Sequence, residues 1–293
     1  DTYHSYGQPA LMLSGGATLG LFHVGVCKAL HERNLLPKVI SGSSAGSLVT
    51  GMLGTHNDEE LVKMYDGEGF YHHAWTWKKM REGLLGQGFA EQKQLEHFVR
   101  NNIGEYTFEE AFAKTGRHIN VTVSPVQAHK ARLMNELTSP YLLVWSAALA
   151  SCAVPILFPA VTLTAKNYQG EYHPYMPAKQ WVDGSVRSDL PRQRLARLFN
   201  VNYFIASQVN PHIVPFMQSD TERFRRDVLS WPERIIRHQG KAIAMEFLDL
   251  TRHYMGDFFP IRRILDHGYG ILGQRYYGDV NIIAKYGLRH YHY

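Results

Sequence analysis

The sequence predicts an α/β fold around a mostly parallel central sheet, on three observations. Short apolar runs alternate with helical patterns near the start: residues 10–13 and 39–41 read as buried strands. Residues 19–30 carry Leu19, Phe22, Val26 and Leu30 at helical spacing, and residues 45–53 read as a second helix. The turn between each strand and its helix is rich in Gly and Ser, which ends a strand sharply. Finally, 293 residues with 45% hydrophobic and 19% charged side chains suffice for a sizeable core without disulfides. Strand, helix, strand, helix at this spacing implies a doubly wound sheet with helices on both faces.

Further strands are expected at residues 119–124, 181–182 and 203–207. Beyond Pro211 the pattern turns mainly helical, with Ile235, Ile236, Ile243, Phe247 and Leu250 near one face of a helix starting after Pro232. This divides the chain into an α/β core, residues 1–210, and a helical extension packed on it, residues 211–293. No repeat or low-complexity linker marks the boundary. Residues 137–165 hold no charge and are long enough to span a bilayer, which takes about 20 residues. Pro155 and Pro159 would break such a helix, and Ser139, Ser146 and Ser151 add polarity, so a buried helix, a turn and a strand are expected instead.

A net charge of +5 and a pI near 9.1 suit an acidic surface. The basic residues fall in short clusters at 75–81, 187–197 and 223–226, without a zinc-finger or RNA-binding signature, which argues against nucleic acid. Solvated faces account for most such clusters. Trp75, Trp77, Lys78, Lys79 and Arg81 combine rings and cations in the way a lipid interface favours, and are the candidate docking residues. Cys27 and Cys152 lie far apart among apolar neighbours and read as buried free thiols, which suits a reducing, intracellular setting. The chain opens at Asp1 without a charged-then-apolar leader, so it reads as a trimmed fragment with no visible secretory signal.

Chemistry concentrates in three places. Gly42-Ser43-Ser44-Ala45-Gly46 is a G-x-S-x-G pattern between a predicted strand and a predicted helix. That context exposes a serine hydroxyl above a sheet and at a helix N-terminus, where developing negative charge is favoured. By itself the pentapeptide also fits a strand-to-helix turn of no catalytic use. Ser14-Gly15-Gly16-Ala17-Thr18-Leu19-Gly20 follows the first strand and lets several backbone N–H groups converge. A phosphate loop would need Lys and Ser/Thr where Leu21 and Phe22 stand, and Gly15-Gly16 is not the G-x-G of dinucleotide binding. An oxyanion hole remains, each donor of which is worth on the order of 3 kcal/mol in the transition state. The third place is Asp183, at a predicted strand end before Gly184, expected on the same sheet rim as the other two.

Metal and cofactor sites fare poorly. His31-Glu32 begins like a zinc motif but Leu35 replaces its second histidine, and His72-His73 has no Cys or carboxylate at ligand spacing. Neither metal nor cofactor is expected. The sequon at Asn120 to Thr122 lies in a predicted strand and reads as accidental.

The order glycine-rich loop, G-x-S-x-G, D-G resembles the patatin-like phospholipases. LSGGATLG, SGSSAGSL, TSPYLLVWSAALASCAVP, VDGSVRSDLP and LFNVNYFIASQVNPH resemble more closely the triacylglycerol-lipase branch of yeast and plants and its bacterial relatives. The likeness runs from about residue 6 to about residue 285. It implies a patatin-like three-layer fold and a lipid acyl hydrolase without cofactor, peripheral to a membrane or lipid droplet. It also implies a serine-aspartate dyad without histidine: Ser44 as nucleophile, Asp183 as base, Gly15, Gly16 and Ala17 as oxyanion-loop positions, and Gly42 and Gly46 as the glycines of the elbow. The common patatin loop reads Asp-Gly-Gly-Gly where this chain has Ser14-Gly15-Gly16-Ala17, and the H-x4-D sequence of acyltransferase relatives is absent. Two competitors stay open: an α/β-hydrolase with a Ser-Asp-His triad, for which His212, His253 and His267 are the candidates after Asp183, and a non-catalytic lipid-surface protein.

Overall fold

The computed structural model describes residues 6–68, 88–127, 130–154, 158–210 and 277–284. Along them run β1 (Gln8–Leu13), a 3-10 turn (Ala17–Gly20), α1 (Leu21–His31), β2 (Val39–Gly42), α2 (Ala45–Thr55), α3 (Asp58–Tyr65), α4 (Gly88–Ile103), α5 (Phe108–Thr115), β3 (His118–Pro125) and β4 (Arg132–Met134). There follow α6 (Val144–Cys152), β5 (Leu163–Lys166), β6 (Tyr172–Tyr175), β7 (Trp181–Asp183), α7 (Ser185–Ser188), α8 (Arg192–Phe199), β8 (Val201–Gln208) and β9 (Val280–Ile283).

The main sheet has the order β4-β3-β2-β1-β8-β9, and β7 also pairs with β3. From β3 through β9 every pairing is parallel, while β4 and β7 run antiparallel to β3. The chain winds outward from β1 through β2 to β3, then returns to lay β8 on the other side of β1. The loops after β1, β2 and β8 therefore meet at a topological switch point, where open α/β sheets place their sites. All five predicted strands and both N-terminal helices are present. The first helix is preceded by the 3-10 turn and starts two residues later than its apolar periodicity suggests. Residues 280–283, which the sequence pattern places in the helical extension, form β9 and extend the sheet beside β8. The helix after Pro232, the 75–81 cluster and His212, His253 and His267 lie outside the described residues.

Alternation along the strands divides the core. Leu11, Leu13, Ile40, Ile119, Val121 and Val123 face one side and pack with α2 and α6. Ala10, Met12, Val39, Phe204 and Ala206 face the other, against Leu195 and Phe199 of α8. The uncharged stretch folds as expected: all nine residues of α6 are buried, and β5 follows. Among the described residues no helix is long and apolar enough to cross a membrane. Cys27 and Cys152 are free and buried, and burial pushes the Cys27 thiol up to about 12. Asn120 is fully buried, with its amide donating to Ile40 O and His118 O, so the sequon offers no accessible acceptor for a glycan.

Candidate active site

Ser44 stands between β2 and α2 with φ 49° and ψ −123°. A positive φ on a residue with a Cβ costs on the order of 1–3 kcal/mol, and such strain persists only where the surroundings enforce it. Here they do. The Ser44 N–H donates to Ser151 Oγ (2.9 Å), whose own hydroxyl donates to Thr122 O (2.7 Å), and Ser47 Oγ donates to Ser44 O (2.6 Å). The flanking glycines allow the turn to close. A Cβ on Gly42 would fall 2.2 Å from Gly46 O, and one on Gly46 would fall 2.3 Å from Leu13 O. Both contacts are with backbone, so no rotamer change relieves them.

The glycine-rich loop lies directly against this elbow, since a Cβ on Gly15 would meet Ser44 Cβ and Ser185 Cβ, each at 3.3 Å. The loop is anchored on its far side by Ser14. Its N–H donates to Ser207 O (3.1 Å), its Oγ accepts from Val209 N (3.0 Å), and its carbonyl accepts from His23 Nε2 (2.9 Å). A proton on Nε2 leaves His23 Nδ1 to accept from Ser207 Oγ (2.8 Å). Burial lowers the pKa of His23 to about 4, so the ring stays neutral in this tautomer at ordinary pH.

Asp183 reaches the same place by a route that its position at a strand end does not suggest. Strand β7 is antiparallel to β3, so its C-terminal end points away from the rim where the parallel strands finish. Asp183 pairs with Val123, two residues short of the end of β3. The carboxyl is nonetheless beside Ser44: it accepts from Ser185 N (2.7 Å), and the Ser185 and Ser44 hydroxyls both help to hold its charged form. Asp183 is 2% exposed, and burial outweighs these donors and raises its pKa to about 6. Neither Ser44 nor Asp183 hydrogen-bonds any described histidine.

Three residues of the site escape the sequence reading. Ser151 lies in the middle of an apolar run, and His23 sits at the helical-period position beside Phe22, where a polar residue on an apolar face is the available signal. The third is Asp189, six residues after Asp183 and itself buried. Its Oδ1 accepts from Gly15 N (2.8 Å), its Oδ2 from Asn210 Nδ2 (2.6 Å), and its main-chain oxygen from Ser43 Oγ (3.0 Å). The Gly15 N–H, one of the expected oxyanion donors, is thereby committed to the Asp189 carboxyl. Burial pushes Asp189 up to about 8; the Gly15 N–H opposes this and the nearby Asp183 charge adds to it.

Gly16 has its own constraint: a Cβ there would fall 2.5 Å from Val209 Cγ2 and 3.2 Å from the Val209 carbonyl. Gly16→Val should therefore displace the loop and lower turnover about 100-fold, the scale of losing one well-placed donor. Unchanged kinetics in a cooperatively melting variant would move the oxyanion hole elsewhere.

A strained serine at a helix N-terminus, a glycine loop packed on it and a buried carboxyl facing it thus stand together in this α/β fold. A family model described as patatin-like phospholipase matches residues 11–196, and the chain belongs to that family. Its relatives include triacylglycerol lipase SDP1L of Arabidopsis thaliana, 37% identical over 303 residues, with 97% of this chain and 36% of the relative covered. Triacylglycerol lipase 4 of Saccharomyces cerevisiae is 42% identical, with 97% and 33% covered, and triacylglycerol lipase 5 of the same yeast is 34% identical, with 98% and 42% covered. The chain thus spans well under half the length of these curated relatives.

Proposed function

We propose that this chain carries a serine lipid-acyl hydrolase site that cleaves long-chain acyl esters such as triacylglycerol or phospholipid. The observation that carries this reading is the buried Asp183 carboxyl facing the hydroxyl of a strained Ser44. Ser44 Oγ attacks the acyl carbonyl while Asp183 takes its proton, and the N–H groups of Gly16 and Ala17 receive the oxyanion. The alkoxide leaves with the proton held by Asp183. Water then attacks the acyl-enzyme, Asp183 accepting its proton, and Ser44 is restored. An ordinary aspartate, with a pKa of about 3.9, is a poor base for a hydroxyl. Burial improves Asp183 by raising it, and costs nothing in protonation state above neutral pH.

Fluorophosphonate labelling of Ser44, followed by turnover on a panel of lipid classes, tests the reading, and a protein that neither labels nor turns over any ester would sink it. Contact with an anionic membrane or droplet surface belongs to the same proposal, supported by the net charge of +5 and the 75–81 cluster. Presenting the panel on anionic vesicles at low and high salt reads that contact. The pH dependence is specific. Because Asp183 acts ionised, kcat/KM on a soluble ester should be lost at low pH and rise through a midpoint near 6 to a plateau. A midpoint near 4 would point to a solvent-exposed carboxylate instead.

A further inference from the structure

We infer that Asp189 is a positioning residue that clamps the oxyanion loop, holding the Gly15 N–H so that the next two N–H groups, of Gly16 and Ala17, face the substrate. The inference rests on the serine-hydrolase reading above for its catalytic consequence, but the clamp itself is a matter of geometry. Asp189 is the one residue described here that bonds to all three loops at the switch point. It takes Gly15 N after β1 at 2.8 Å, Ser43 Oγ after β2 at 3.0 Å through its main-chain oxygen, and Asn210 Nδ2 after β8 at 2.6 Å. It also belongs to the segment that carries Asp183, so one residue, through its side chain and its main-chain oxygen, ties nucleophile elbow, oxyanion loop and base together.

The residue type suits the task. A carboxyl offers two acceptor oxygens and, at 1% exposure, has no water to compete for them. A glycine-rich loop has more conformational freedom to lose than any other, so it gains most from such an anchor. The oxygens of Asp189 take the loop donors Gly15 N and Asn210 Nδ2, whereas Asp183 takes the Ser44 hydroxyl, which separates the two acids. The His23 and Ser207 pair holds Ser14 from behind; Asp189 fixes the adjoining peptide from the front.

Asp189→Ala, Asp189→Asn and Asn210→Ala separate holding from chemistry. In Asp189→Ala, kcat on a soluble short-chain ester should fall about 100-fold while KM changes little, because the loss is confined to the transition state. Hydrogen exchange in residues 14–20 should quicken at the same time. Asp189→Asn should recover most of the rate and the protection: its Oδ1 still accepts from Gly15 N, and the Asn210 amide can turn over to accept from the new carboxamide. Asn210→Ala removes one arm only and should give an intermediate loss with faster exchange, which keeps the test open if Asp189→Ala fails to fold. Wild-type kcat and exchange in a folded Asp189→Ala or Asn210→Ala would overturn the clamp. So would an Asp189→Asn variant that is protected in the loop yet as slow as Asp189→Ala, since the carboxyl would then act in the chemistry. A wild-type protein that fluorophosphonate does not label would sink the hydrolase reading alone, and exchange in residues 14–20 would still decide the clamp.

Discussion

Ser44→Ala is expected to abolish esterase turnover and fluorophosphonate labelling while leaving the fold intact. Loss of a serine nucleophile typically costs on the order of 10⁴-fold or more, the residue being donors and binding alone. The fold should survive because the hydroxyl contributes little to the elbow: the Ser44 backbone is held through its N–H to Ser151 and its carbonyl to Ser47, and both bonds remain in the alanine variant. Ser44→Gly sharpens the test. It should be equally inactive but more stable than Ser44→Ala by about 1 kcal/mol, because glycine adopts a φ of 49° without the strain of a Cβ. Turnover retained in either variant would remove Ser44 from the chemistry, and an Ala variant as stable as the Gly variant would deny the strain.

Asp183→Asn is expected to collapse the chemical step and to stabilise the protein. The carboxamide keeps the shape of the side chain: its oxygen accepts from Ser185 N, and its amide can donate to either serine hydroxyl. What it lacks is a basic site. The stability gain follows from linkage. The folded-state pKa of about 6 lies above the ordinary value of 3.8, so the proton-linked stability of this group is fully present below about pH 4 and is lost as pH rises through 6. Above that pH the wild type bears the cost of a buried charge, on the order of 3 kcal/mol, and the asparagine variant does not. Melting temperatures should therefore diverge at pH 8 and converge near pH 4. No single histidine substitution should match the loss of rate. A histidine whose Ala variant is folded yet as inactive as Ser44→Ala would favour a triad, with His212, His253 and His267 tested first.

These two variants also show how far the sequence carries. Short apolar runs before glycine turns were enough to mark β1, β2 and their helices, because a buried parallel strand and a sharp strand-to-helix turn each restrict composition strongly. The prolines and serines within residues 137–165 were enough to reject a membrane span in favour of α6 and β5. Two of the short antiparallel strands were not legible: β4 has three residues and β6 contains a proline, so neither shows the alternation that marks a strand. Strand β9, four residues long, sits in a region whose dominant pattern is helical.

By itself the sequence determined which residues could do chemistry, since Ser44, the glycine loop and Asp183 each follow a local pattern with a local physical cause. Their partnership was decided only by the tertiary structure. Antiparallel pairing of β7 with β3 brings Asp183 to Ser44 from the direction opposite to the one a strand-end rule implies, and pairing is a long-range event that no local pattern encodes. Burial, too, is a property of the assembled fold: it raises the Asp183 carboxyl, and it leaves Asp189, an acid that no local pattern singles out, as the acceptor of the Gly15 N–H.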